Sequence, residues 1–181
     1  MSLGRLVFSL ISLISLNSLL CNSQKILHSQ DFFITFAPQK RQHALPMEKY
    51  ESKQCQIFKS AAQIYPFISS FNLLTPAVAD KVEQWQATDD TCSFKIKGFT
   101  VKLRMVDKVE GKHVKITGDE GGVPIDFAFW IQLHEVTPTD TRIRMVLHAE
   151  LNMMMRMMVG SKIQKGLDQA VEGFAAAFNR I

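Results

Sequence analysis

The most chemically distinctive run in the sequence is Met153-Met154-Met155-Arg156-Met157-Met158, which holds five of the nine methionines. Thioether sulfur suits soft metals such as copper. No histidine or cysteine stands beside the run, so no metal is expected there. Methionine is also a good helix former and an adaptable packer. A segment apolar on nearly all sides suggests contact with more than one surface. Three readings stay open: core filling, an adaptable rim at a cavity mouth, and a self-associating or membrane-touching patch.

The remaining candidates for chemistry are sparse. His113, His134 and His148 fall on the polar positions of alternating segments, and Asp126 and Glu135 sit beside such segments. The apolar positions carry no acid, base or nucleophile apart from Cys55 and Cys92. Buried reduced cysteines usually behave as small hydrophobes. Cys21, Cys55 and Cys92 are too few and too scattered for a disulfide framework, and no pair has zinc-ligand spacing. The chain has no GxxxxGK[ST], GxGxxG, HExxH or GxSxG motif. General acid–base catalysis needs titratable groups aimed at a substrate. The pattern therefore favours binding over catalysis; no catalytic residue, cofactor or metal ligand is assigned.

The elements that would position these residues are legible from periodicity. Residues 50–58 are loosely strand-like, and Met47 to Tyr50 open that pattern. Ser60 can cap a short helix through Phe71, with a break or kink at Pro66. Residues 72–81 form a loop or second short helix around Pro76. The period then changes to two over 82–88, 91–97, 99–106, 113–117, 125–135 and 140–151, with turn residues between. Ile125, Phe127, Phe129, Ile131 and Leu133 share one face, as do Ile143, Met145, Leu147, Ala149 and Leu151. Arg142, Arg144, His148, Glu150 and Trp130 face the other way. Such alternation predicts an antiparallel sheet, one face buried and one wet, paired as a meander. A helix follows from Asn152 or Met153 to about Arg180. Its expected apolar stripe is Met157, Gly160, Ile163, Leu167, Val171, Phe174, Phe178 and Ile181, which must cover the inner face of the sheet.

The 181 residues are 46% hydrophobic and 21% charged, with mean hydropathy close to zero, a composition that excludes a disordered tail or a multi-span membrane protein. The charge is uneven. Residues 1–46 hold Arg5, Lys25, Lys40 and Arg41 against Asp31, whereas residues 47–181 hold 17 basic and 16 acidic side chains. The general basicity thus gives no case for nucleic acid. The basic positions Lys95, Lys97, Lys102, Arg104, Lys115, Arg142 and Arg144 read as a solvated face. Residues 6–20 (LVFSLISLISLNSLL) after Arg5 resemble a secretory signal and are too short and serine-rich for a spanning helix. Alternatively, Met47 is the true start. Both of these readings put 1–46 outside the fold, with 47–181 one domain; the remaining reading makes 1–46 an ordered extension. The protein is expected to be cytoplasmic on the second reading, and exported if residues 1–23 are a signal peptide.

The order strand, two short helices, about six strands and one long helix resembles the helix-grip fold of the START and birch-pollen-allergen superfamily, SRPBCC. The resemblance spans 47–181, rests on element order and the C-terminal helix, and is nearest to small bacterial polyketide-cyclase-like or START-like members. It implies an α+β domain in which a curved antiparallel sheet of about seven strands wraps the long helix around a cavity for an apolar ligand. The expected cavity wall is Trp85, Phe94, Phe99, Val101, Leu103, Phe127, Phe129, Ile131, Met145 and Leu147, with Met154, Met157 and Met158 at the mouth. The glycine loop Gly118-Asp119-Glu120-Gly121-Gly122 comes too late in strand order to take the allergens' phosphate-loop-like role. The implied function is carriage or sensing of a hydrophobic small molecule, lipid-like or polyketide-like. The alternatives are a cyclase- or dehydratase-like enzyme in the same cavity, and an interaction module like the chaperone-ATPase activators. The expected partners are the small molecule and a second copy of the chain through Met153–Met158. Nucleic acid and stable membrane insertion of the body are not expected.

Overall fold

The computed structural model describes residues 47–79, 82–96, 99–122 and 126–180. The leader, the break at Gly98, Ile125 and Ile181 lie outside the described residues. In chain order the elements are β1 (Met47–Glu51), β2 (Cys55–Ile57), α1 (Ala61–Ile68), a 3-10 turn (Asn72–Leu74), α2 (Thr75–Val78), β3 (Glu83–Ala87), β4 (Thr91–Ile96), β5 (Phe99–Val109), β6 (His113–Gly118), β7 (Phe127–Thr137), β8 (Asp140–Glu150) and α3 (Met153–Phe178).

The eight strands make one antiparallel sheet in the order β1-β8-β7-β6-β5-β4-β3, with β2 also paired to β8. The meander from β3 to β8 is as expected. The expected single first strand is instead two, because Ser52 interrupts it. Its backbone N–H donates to Met145 O at 2.8 Å, and its hydroxyl accepts from Met145 N at 2.9 Å. A buried side chain thus replaces part of the ladder, and the chain steps along β8 before resuming as β2.

α1 starts with a capping box. Ser60 Oγ accepts from Gln63 N, and Gln63 Oε1 accepts from Ser60 N at 3.2 Å. The Glu135 carboxylate of β7 accepts from Ala61 N at 2.6 Å, so the start of α1 is tied to the sheet. Pro66 brings no N–H to the helix, which stops at Ile68. Ile57, Ile64, Ile68, Val114, Leu133, Ile143 and Met145 close this end of the core.

α3 packs chiefly on β1, β2 and β8. Polar clamps fix it there: Gln164 Nε2 donates to Glu51 O at 2.6 Å, and Asp168 Oδ1 accepts from Lys53 N at 2.7 Å. Lys53 also pairs with Glu172. At the C-terminus Asn179 serves both groups of β2's end, accepting from Phe58 N at 2.8 Å and donating to Gln56 O at 3.0 Å. The buried stripe is Val159, Ile163, Gly166, Leu167, Ala170, Val171, Phe174, Ala175 and Phe178. Met157, expected in that stripe, is 78% exposed. Two successive steps of three residues back from Ile163 drift about 120° around a helix of 3.6 residues per turn, whereas steps of four reach Val159 and Met155. Val146, on the outer side by register, is also buried, between its partners Glu51 and Trp130.

Candidate ligand-binding site

Ten of the expected wall residues fall on the sheet's inner face, and the core unites them. Phe94, Val101, Phe129, Ile131 and Met145 are buried, and Trp85, Leu103, Phe127 and Leu147 are part-buried against them. Phe99 is part-buried on the same side of β5 as Val101. The register sets the order across the sheet. Tyr50 faces Leu147, which faces Phe129, which faces Ile116; one row further, Phe127 faces Ala149. Burial is uneven along this face. The rows under α1 are closed, whereas Leu103, Phe127 and Leu147, towards the start of α3, keep accessible surface.

A cleft of about 430 Å³ opens at the β3 edge, lined by Gln84, Trp85, Gln86, Ser93, Phe94, Lys95 and Thr100. It follows from a local irregularity. The β3–β4 register shifts between Glu83 and Gln86, and Gln84 takes a positive φ of 54°. An extra residue there bends the strand and unpairs part of the ladder. Trp85 stacks on Phe94 with centroids 5.7 Å apart and planes at 29°. Its Nε1–H donates to Thr75 Oγ1 at 3.0 Å, so α2 fixes the indole. The cleft thus has an apolar floor of two aromatic rings and a rim of amides, hydroxyls and one ammonium. Its volume is in the range of small-molecule sites.

Met154, Met157 and Met158 are not brought together with the wall. They are 69%, 78% and 50% exposed and lie away from α3's buried stripe. Among the cluster only Met155 packs against the core.

Sequence reasoning missed two polar residues on the inner side. β1 turns Glu48 and Tyr50 inward, opposite Ala149 and Leu147. Glu48 Oε1 accepts from Arg156 Nη1 at 2.8 Å. The Tyr50 hydroxyl is buried with no hydrogen-bond partner among the described residues, and the ring lies under Gly160, where a Cβ would come within 3.3 Å of that oxygen. Burial raises the Tyr50 phenol's pKa, Glu48 adds to the rise, and Arg156 opposes it. The sequence holds no clear signal for them: β1 alternates Met47, Lys49 and Glu51 against Glu48 and Tyr50, and neither set is apolar, so hydropathy assigns no inner face.

The thiols have the character of core atoms. Burial pushes Cys92 up to about 12 and raises Cys55. Among the described residues no group of three or more His, Cys, Asp or Glu side chains could hold a metal ion. On the outer face the basic positions meet local partners: Arg104 with Asp119, Arg142 with Asp140, Arg144 with Gln132, and Lys115 over the Trp130 ring at 5.1 Å. Trp130 also packs against His148, with centroids 4.6 Å apart.

No family model and no curated protein matches the sequence. Solved structures do match in shape. Norcoclaurine synthase from Thalictrum flavum, in complex with dopamine and hydroxybenzaldehyde, superposes with a TM-score of 0.61 at 14% identity, covering 84% of this chain and 95% of that one. A protein from Thermobifida fusca gives 0.57 at 11% identity, over 73% and 93% of the two chains. The Aha1 dimer from Colwellia psychrerythraea gives 0.52 at 14%, over 74% and 97%. At such identities the likeness is one of fold. A curved eight-stranded antiparallel sheet with a long C-terminal helix across its inner face is the helix-grip fold, and the chain has the fold of the SRPBCC superfamily.

Proposed function

We propose that the protein binds a hydrophobic small molecule, lipid-like or polyketide-like, over the apolar inner face of the sheet, entered at the β3 edge. The carrying observation is the cleft of about 430 Å³ floored by Trp85 and Phe94, two residues of the apolar inner face. Removing such surface from water contributes roughly 25 cal/mol per Å². The Gln84, Ser93, Lys95 and Thr100 rim suits a ligand with one polar end. The fold also fits this reading, since a neighbour of the same shape was solved with two small aromatic molecules bound.

The chain has two tryptophans, Trp85 and Trp130, so Trp130→Phe leaves the cleft residue as the sole indole. Titration of that variant with a fluorescent fatty acid should quench Trp85 emission saturably, and native mass spectrometry of freshly purified protein should show a co-purifying mass. Linear, unsaturable quenching together with a bare native mass would exclude this function.

A cyclase- or dehydratase-like enzyme is the second reading, favoured by Tyr50 and Glu48. A buried phenol without a hydrogen-bond partner among the described residues, beside a carboxylate–guanidinium pair, is the kind of group that general acid–base chemistry uses. Tyr50→Phe tests it: turnover lost with binding retained supports the enzyme, and turnover unchanged removes Tyr50 from any reaction.

A further inference from the structure

The first two turns of α3 expose Met153, Met154, Met157 and Met158 at 80%, 69%, 78% and 50%. Four large apolar side chains side by side form the kind of patch that soluble surfaces seldom leave open without a use. Their direction is set by the helix. At about 100° per residue, Met154, Met158 and Lys165 fall more than about 120° around from the stripe centred on Ile163 and Ala170, and Lys162 falls about 90° around from it. The outward side of α3 is therefore methionine for two turns and lysine for the next two.

The charge that the helix itself carries beside the patch has one sign. No Asp or Glu occurs from residue 151 to 167, while Arg156, Lys162 and Lys165 do. The first turn of α3 has no acidic residue, so its N-terminus is capped by the neutral Asn152 amide and no charge of the helix's own opposes the positive end of the dipole. Arg156 is engaged by Glu48, and Asp168, the next acid along, is tied to the Lys53 backbone. Lys162 and Lys165 remain as an exposed cationic shoulder beside the methionines. A second copy docking two-fold on this patch would bring like charges together. An anionic surface would meet both the apolar side chains and the lysines.

We propose that the outward side of the first four turns of α3 docks on an anionic lipid surface, the methionines entering the headgroup boundary and Lys162 and Lys165 meeting lipid phosphates. Amphipathic helices bind membranes in this way, by shallow burial of an apolar side next to basic residues. No helix among the described residues is long and apolar enough to cross a membrane, which fits contact in the plane of the surface. The point where residues 1–46 join the fold is also close by. Met47 pairs with Glu150, two residues before the Asn152 cap of α3, and the apolar run 6–20 lies within that segment.

The test is co-sedimentation of the full chain with vesicles of phosphatidylcholine alone and of phosphatidylcholine mixed with phosphatidylglycerol. Binding should favour the anionic vesicles. Lys162→Glu/Lys165→Glu should lower that binding by more than about tenfold, and Met154→Gln/Met157→Gln/Met158→Gln should lower it on both vesicle types. Met157→Leu, which keeps the apolar surface, should bind like the native chain. If the triple Gln variant fails to fold, the lysine pair decides. Binding unchanged by the lysine reversals overturns the proposal. So does a native chain that ignores anionic vesicles, or a triple variant that turns a dimer into a monomer in sedimentation while binding vesicles as before. Trp85 quenching by the fatty acid is read separately, so loss of ligand binding and loss of membrane binding stay distinguishable.

Discussion

Uneven burial along the inner face can be turned into a measurable difference between two alanine substitutions. Met145 is fully buried on β8 at the closed end. Met145→Ala leaves a cavity with no collapse route, and such changes cost about 2–5 kcal/mol. Taking about 3 kcal/mol, the melting temperature should fall by about 10 °C for a domain of this size. Phe127 lies on the same face of the neighbouring strand but is only part-buried. A tightly packed phenylalanine would cost about 3–5 kcal/mol on truncation to alanine. If Phe127 borders an open interior, much of its ring already lacks protein contacts, and the expected cost is about 1–2 kcal/mol. The lost area should appear in binding instead, as a roughly tenfold weaker fatty-acid affinity, or about 1.4 kcal/mol. Urea titrations followed by circular dichroism give the stabilities, and fluorescence titration gives the affinity. Phe127→Ala as costly as Met145→Ala, with affinity unchanged, would mean that this end is closed too and that the interior is not the binding site.

Cys92, at about 12, should resist alkylation at pH 8 in the folded protein and react only in denaturant, as peptide mapping would show. The Arg104 guanidinium lowers the Asp119 pKa, mainly through their hydrogen bond. Because the folded value is below the unfolded one, the pair's stabilisation is present above about pH 4 and is lost as pH falls through the folded value. Asp119→Asn should therefore change melting only slightly at pH 7, the difference should shrink as pH falls below about 4, and high salt should erase it. Glu135→Ala unpairs the Ala61 N–H and should cost about 1–2 kcal/mol by urea titration. Gln84→Gly relieves a positive φ and should stabilise the fold or leave it unchanged in thermal melts. A chain begun at Met47 should melt within about 2 °C of the full chain; a larger drop would show that residues 1–46 pack on the domain.

Strands β4 to β8 were readable because each alternates apolar and polar side chains over a sheet with one wet face, and Gly or Asp punctuation separates them. The long helix was readable from Ile163 to Phe178, where the apolar residues Ile163, Leu167, Val171, Phe174 and Phe178 recur at spacings of four and three. It failed at Met157 because any residue among five methionines satisfies an apolar pattern, so identity alone could not phase the helix. β1 was legible as a strand but not as the carrier of Glu48 and Tyr50. Trp85 and Phe94 were legible as wall residues, while the cleft beside them was not. It depends on the backbone of Gln84, and a lone glutamine at positive φ has no signature in sequence. Ser52 was invisible for a similar reason, since its role depends on a partner 93 positions away.

The kink at Gln84 has a consequence for how the molecule behaves in company. β3 is the last strand on its side of an eight-stranded sheet, and an outermost strand offers its spare N–H and C=O groups to any extended chain that drifts alongside. A straight β3 would be a template for runaway strand addition. The register break between Glu83 and Gln86 turns those groups out of line within a strand of only five residues, so an incoming strand meets a broken comb. The same backbone distortion that opens a pocket beside Trp85 therefore blunts the edge against fibre-like growth. Straightening it to close the pocket should make the protein prone to aggregate.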